Sequence, residues 1–216
     1  MNTETSLLLP ARFPMNRKGA SPSGETGMSL IIVLMILVVV SLIGINAAQI
    51  STLAERTTRN DRYTQIAWES AESGLVDAEF DMRNTRQNIF GISGQTPTDI
   101  TKFQTGCGTS GDSEGLCQLP ALVTDKPAWL TVDLSAATNT ITFGGQTGRS
   151  FPSGSGAQPY KNPNYLIEAI PDNGDGNRDR SEKMRGYVFR VTSMGFGPGS
   201  ALRPANQAVV QMIFRN

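Results

Sequence analysis

Gly27-Met28-Ser29-Leu30-Ile31-Ile32-Val33-Leu34-Met35-Ile36-Leu37-Val38-Val39-Val40-Ser41-Leu42-Ile43-Gly44 decides the architecture of this 216-residue chain. The apolar run continues with small interruptions to Ala48 and carries no charge. Roughly 20 such residues, at about 1.5 Å each, are enough to cross a bilayer as a helix. Arg12, Arg17, Lys18 and Glu25 precede the run; Glu55, Arg56 and Arg59 follow it. Three basic residues upstream, against Glu4 and Glu25, favour a cytoplasmic N-terminus and an exported C-terminal bulk.

A secretory signal places its small-residue cleavage site after the apolar region. Here Gly24-Glu25-Thr26-Gly27 comes before it. Cutting after Gly27 removes a polar leader and leaves the helix on the mature chain. This arrangement resembles a type IV prepilin leader. The resemblance implies cleavage after Gly27 by a dedicated membrane peptidase and methylation of Met28. A plain single-pass anchor with a polar cytoplasmic tail is the other reading of the leader alone.

Beyond the span, Glu55-Arg56-Thr57-Thr58-Arg59-Asn60-Asp61-Arg62 leads to Ala71-Glu72-Ser73-Gly74-Leu75-Val76-Asp77-Ala78-Glu79. The stretch is similar to the N-terminal region of the PilX minor pilins, with "ER-x-AxN-xR" and then "A-x-x-AE-x-x-L-x-x-AE". Glu55-Arg56, Asn60, Arg62, Ala71-Glu72, Leu75 and Ala78-Glu79 match. Thr58 and Ser73-Gly74 depart from the alanines often found there. The likeness covers about 27–79 and returns more weakly in 187–195 and 208–211. It implies a type IV pilin-like α+β fold, with a long N-terminal helix on an antiparallel sheet.

The residues support that layout on their own. No proline occurs from Met28 to Arg86. Ala67, Ala71, Leu75 and Ala78 recur at three- and four-residue spacing and share one helical face. Glu69, Glu72, Asp77 and Glu79 are assigned to the opposite face. The expected organisation is a leader over 1–27, a membrane and assembly helix over 28–50, an amphipathic helical half over 51–88 and a β-rich exported domain over 89–216. Strands are expected at Tyr165 to Ile170, Gly186 to Met194 and Gln207 to Arg215; in the last two, apolar and polar residues alternate. Leu130 to Leu134 and Thr140 to Phe143 read as two shorter strands. Gly195 to Ser200 reads as a turn, and 144–156 as an irregular connection without a role of its own.

Cys107 and Cys117 are the only cysteines and lie on the exported side. In an oxidising compartment a disulfide is their expected state. It would close a short loop, worth about 2–3 kcal/mol in the chain-entropy picture. Zinc would need further ligands, and the chain has no histidine. Calcium is the cofactor that the acidic loop after Pro171 raises. Asp172, Asn173, Asp175, Asn177, Asp179 and Glu182 offer oxygens around Gly174 and Gly176. Pro171 falls at the first ligand position, Asp172 is out of register, and Arg178, Arg180 and Lys183 partly neutralise the site. A solvated turn explains the same residues.

Major pilins resemble one another in a glutamate at the fifth mature residue, which pairs with a neighbour's terminal amine. Counting from Met28, this chain has Ile32 there. An intramembrane carboxylate is costly without a partner. A subunit with no neighbour above it has no amine to meet, so Ile32 points to a tip or initiating position; drift in a subunit used at low copy number is the alternative.

The chain is not expected to be an enzyme. Without histidine there is no Ser-His or Cys-His pair. Lys plus Arg equals Asp plus Glu at 19 each, with no basic run, so nucleic acid is not an expected partner. Some minor pilins take up DNA, and the resemblance leaves weak surface binding open. The partners it implies are other minor pilins, the major pilin, a large tip adhesin, the inner-membrane assembly platform and the prepilin peptidase. It implies residence in the inner membrane before assembly and in the extracellular pilus after it. The tip pseudopilin of a type II secretion system and a non-polymerising anchored binding module are the alternatives.

Overall fold

The computed structural model describes residues 28–92, 96–122, 124–151, 154–172, 186–200 and 206–215. The chain divides into two compact units, Met1–Thr52 and Leu53–Asn216. Helix α1, Met28–Phe80, contributes to both. It passes into a π-helical turn, Asp81–Thr85, and a short helix α2, Gln87–Phe90, closed by Gly91 at φ +69°. A left-handed residue ends a helix most cheaply when it is glycine.

The second unit holds a five-stranded sheet. Its strands are β1 (Leu116–Gln118), β2 (Ile141–Thr142), β3 (Asn164–Pro171), β4 (Tyr187–Phe196) and β5 (Gln207–Arg215). The spatial order is β1-β3-β4-β5, with β2 also on β3. Strands β3, β4 and β5 form an antiparallel meander at the three stretches where strands are expected. The sheet as a whole is mixed, because β1 runs parallel to β3 with Leu116 opposite Ile167. The antiparallel sheet expected against the helix is formed by β3, β4 and β5, and β1 adds one parallel pair to it. Three residues, Leu116-Cys117-Gln118, are too few to show a strand period.

Helix α1 begins to bury side chains only at Ile66 and Ala67. Ala67, Ala71, Ala78 and Met82 are fully buried and Leu75 packs against the core, as the spacing of the small residues requires. The approach is close enough to constrain the sheet. A Cβ on Gly195 would lie 2.2 Å from the Ala67 carbonyl oxygen and from the Ala71 amide nitrogen. Gly195 therefore sits inside β4, which runs on to Phe196, and the turn expected from Gly195 starts later. Beneath the helix, Phe90 stacks edge-on to Phe103 and Phe189 with centroids 5.9 and 5.0 Å apart. Such pairs contribute about 1 kcal/mol beyond their burial.

Three further expectations are revised. Leu130 to Leu134 is not a strand. Pro127 precedes a short helix α3, Ala128–Thr131, whose first amide donates to the buried Glu168 carboxylate at 2.9 Å. Leu134 then turns into a small second core with the disulfide, Ala128 and Leu166. Of the strand expected at Thr140 to Phe143, only Ile141–Thr142 forms. Asp77 is not on the solvent face of α1. It is fully buried, while Glu69 and Glu72 are exposed and Glu79 is half-buried.

Candidate assembly surface

In the first unit, every side chain described from Leu30 to Thr52 is exposed. Leu30, Met35, Val39 and Ile50 lie between 55 and 69 % exposed. An apolar helix with no intramolecular cover needs lipid or other helices around it. Two hydroxyls along it are satisfied internally. Ser41 Oγ donates to the Leu37 carbonyl at 2.7 Å, and Thr52 Oγ1 to the Gln49 carbonyl at 2.9 Å. Gly44 has nothing within 4 Å of where a Cβ would stand, so its smallness serves no contact inside this chain. It leaves a notch on the outer surface, where a second helix can approach closely. Ile32 is 55 % exposed on this surface. Met28 is the first residue of α1, and Gly27 lies outside the described residues.

In the second unit, buried charges fasten distant segments to α1 and to β3. Asp77 accepts from the Gly144 amide at 2.8 Å, from Thr147 Oγ1 at 2.7 Å and from Arg149 Nη1 at 3.4 Å. The loop after Phe143 is thus pinned to the helix, a role that its Gly-rich composition hides. Asp81 and Arg86 are both buried and pair side-on, with Arg86 Nε 3.0 Å from Oδ1 and Nη2 closing the fork on Oδ2. Arg86 Nη1 also donates to the carbonyls of Asp112 at 2.9 Å and Glu114 at 3.1 Å. Burial raises the Asp81 carboxyl above its ordinary value; the Arg86 hydrogen bonds and charge pull the other way without cancelling it. The Tyr165 phenol nearby is pushed well up, first by burial and then by the charges of Asp81 and Asp77. Glu168 on β3 completes the set. It takes the Ala128 amide on one oxygen and Arg190 Nε at 2.7 Å on the other.

Arg86 reaches into the loop that the cysteines bound. Cys107 and Cys117 are bonded to each other, with Cα atoms 4.0 Å apart. Asn139 donates from Nδ2 to the carbonyls of Gly106 and Cys107, both at 3.0 Å. The disulfide ties the loop that follows the helices to the sheet itself, because Cys117 lies in β1 opposite Glu168. Of the residues considered for calcium, Asn173, Asp175, Asn177, Asp179 and Glu182 lie outside the described residues. Asp172 pairs with Arg215 at 3.0 Å.

An exposed apolar helix continuing into an amphipathic half, followed by a sheet domain closed by one disulfide, is the layout that the opening stretch implied. The PilX N-terminal family model matches residues 26–76, and the type IV pilus assembly protein PilX C-terminal model matches residues 54–216. The chain belongs to the PilX family. No curated protein and no solved structure matches it. PilX chains are minor pilins of the type IV pilus, a structural family that acts with other pilins. Within this PilX chain, the exposed part of α1 is the surface able to enter a membrane or a bundle of pilin helices. Asp77, Asp81, Arg86, Glu168 and Gly195 hold the second unit together. Apart from the Asp81–Arg86 pair, their partners lie more than twenty residues away in sequence.

Proposed function

We propose that this minor pilin takes part in starting type IV pilus assembly and occupies a position at or near the tip, in contact with other minor pilins. The observation that carries the reading is Ile32, an apolar, exposed side chain at the fifth mature position. A subunit with neighbours on both sides gains from a carboxylate that meets the next terminal amine. One with no neighbour above would hold that charge unpaired in an apolar surrounding, which is unfavourable by several kcal/mol. The leader supplies the entry step. Removal of residues 1–27 frees the amine of Met28 at the start of α1.

The first test is the intact mass and N-terminal sequence of the membrane-extracted chain, with and without the prepilin peptidase. A chain beginning at methylated Met28 only when the peptidase is present supports a filament subunit. Retention of 1–27 in both strains would reduce the protein to a simple anchor. Position is tested separately by immunogold labelling. Label confined to pilus ends is expected, and label spread along the shaft overturns the tip assignment.

A further inference from the structure

The fastenings at the end of α1 share one support. Arg86 Nη1 donates to the carbonyls of Asp112 and Glu114. Gln146 Nε2 donates to the Gly111 carbonyl at 3.2 Å and to Glu114 Oε2 at 2.6 Å. All four acceptors lie inside the loop that Cys107 and Cys117 close. Arg86 passes this support to Asp81, and the loop that carries Gln146 passes it to Asp77 through Gly144, Thr147 and Arg149. Both buried carboxylates of α1 are therefore held by way of the cystine loop.

The loop has little else to keep its shape. Cys107 stands at φ +71°, an unfavourable conformation for a residue with a Cβ. At the base of the loop, Gly108 N donates to the Leu116 carbonyl at 3.2 Å and Gly115 N to the Gly108 carbonyl at 2.9 Å. Both bonds begin one residue after Cys107 and rely on its turn. Thr109, Ser110, Gly111 and Asp112 are exposed, so the tip is not fixed by burial. Without the S–S bond, Cys107 is free to leave its left-handed conformation, and the carbonyls offered to Arg86 leave with it. A buried guanidinium that loses two acceptors is costly, so the π-helical turn beside it opens too. The meander needs none of this. Its strands are paired from Asn164 to Pro171 and from Val188 to Phe196, with β4 and β5 beyond β3 from β1.

We propose that the Cys107–Cys117 bond is an oxidation-dependent lock on the end of α1. In the dithiol chain β3, β4 and β5 are formed, while 81–90 and 144–149 are open to water. In the disulfide chain both segments are closed. Closure passes two protons and two electrons from the thiols of this chain to a donor disulfide, which leaves as two thiols. Both cysteines are buried in the folded chain, so the lock is set once and is not a reversible sensor. It depends on neither the leader nor the tip assignment.

The test is amide hydrogen exchange, read by mass spectrometry on the full chain in detergent micelles. Wild type is compared with Cys107→Ser, Cys117→Ser. Exchange in 81–90 and 144–149 is expected to be at least about tenfold faster without the bond, and that in 207–215 to stay within about twofold. Asp81→Leu with Arg86→Met cuts the arginine route and leaves the Gln146 route in place. In that chain, removing the cysteines is expected to speed exchange in 144–149 as before and to leave 81–90 within about twofold. No acceleration of 81–90 in the serine chain overturns the proposal. So does equal acceleration in 207–215, which makes the bond a general brace for the fold. So does full acceleration of 81–90 when the cysteines are removed from the Leu, Met chain.

Discussion

Arg86 shows how much one side chain can decide. It is buried, satisfies Asp81 and holds two carbonyls of the disulfide loop. Arg86→Ala leaves a carboxyl buried without its partner, and a loss of about 3–5 kcal/mol is expected in urea unfolding. Replacing both residues, as in Asp81→Leu with Arg86→Met, is expected to recover most of that loss, since an apolar pair carries no desolvation penalty. The pH dependence has a definite sign. The folded Asp81 carboxyl lies above its ordinary 3.8, so the native state holds this proton more tightly than the unfolded chain. Its contribution to stability is present below 3.8 and is lost as pH rises through the raised folded value. Asp81→Asn is expected to remove this one component from the stability curve, measured from about pH 3 to 6. Asp77→Ala releases the amide of Gly144 and the hydroxyl of Thr147 together. A loss of about 2 kcal/mol is expected, with faster amide exchange confined to the loop after Phe143.

At the scale of elements, two glycines in α1 and β4 make opposite demands. Gly195→Ala drives a methyl into the backbone of α1 and is expected to destabilise the domain by about 3 kcal/mol or more. Gly44→Leu meets nothing in its own chain. It is expected to leave domain melting unchanged while lowering the amount of this subunit in sheared pili, measured by quantitative blotting. The same contrast separates what the sequence made legible from what it did not. Strands β4 and β5 showed their alternation, β3 its short apolar run, and α1 its small-residue face. The sequence did not reveal β1, which has three residues and draws its register from β3, or α3, which is set by a carboxylate forty residues downstream at Glu168. Asp77 was placed in solvent because its partners lie 67 to 72 residues along the chain. Of the assembly surface, the exposed helix and Ile32 were readable directly. The buried ion pairs that support the domain were not, because charge placement by helical spacing assumes that the opposite face is wet.

For the molecule as a whole, the disulfide is the one covalent cross-link within the sheet domain. Cys107 and Cys117 close the loop into which Arg86 reaches. Replacing both by serine is expected to remove about 2–3 kcal/mol and lower the steady-state level of the protein in the cell envelope, with no effect on leader cleavage. A reductant-treated sample should show the same melting temperature as the double variant. Finally, the way Ser41 is satisfied has a consequence for movement. It is the one polar side chain between Leu30 and Ile45, and its hydroxyl already donates to the Leu37 carbonyl of its own helix at 2.7 Å. That donor is not left over to latch onto a neighbour. Helices that touch only through methyl and methylene groups can slide along one another by small steps without breaking a directional bond. A shift of this stretch along a neighbouring helix is therefore opposed by the fit of its side chains and not by the loss of a bond donated by Ser41.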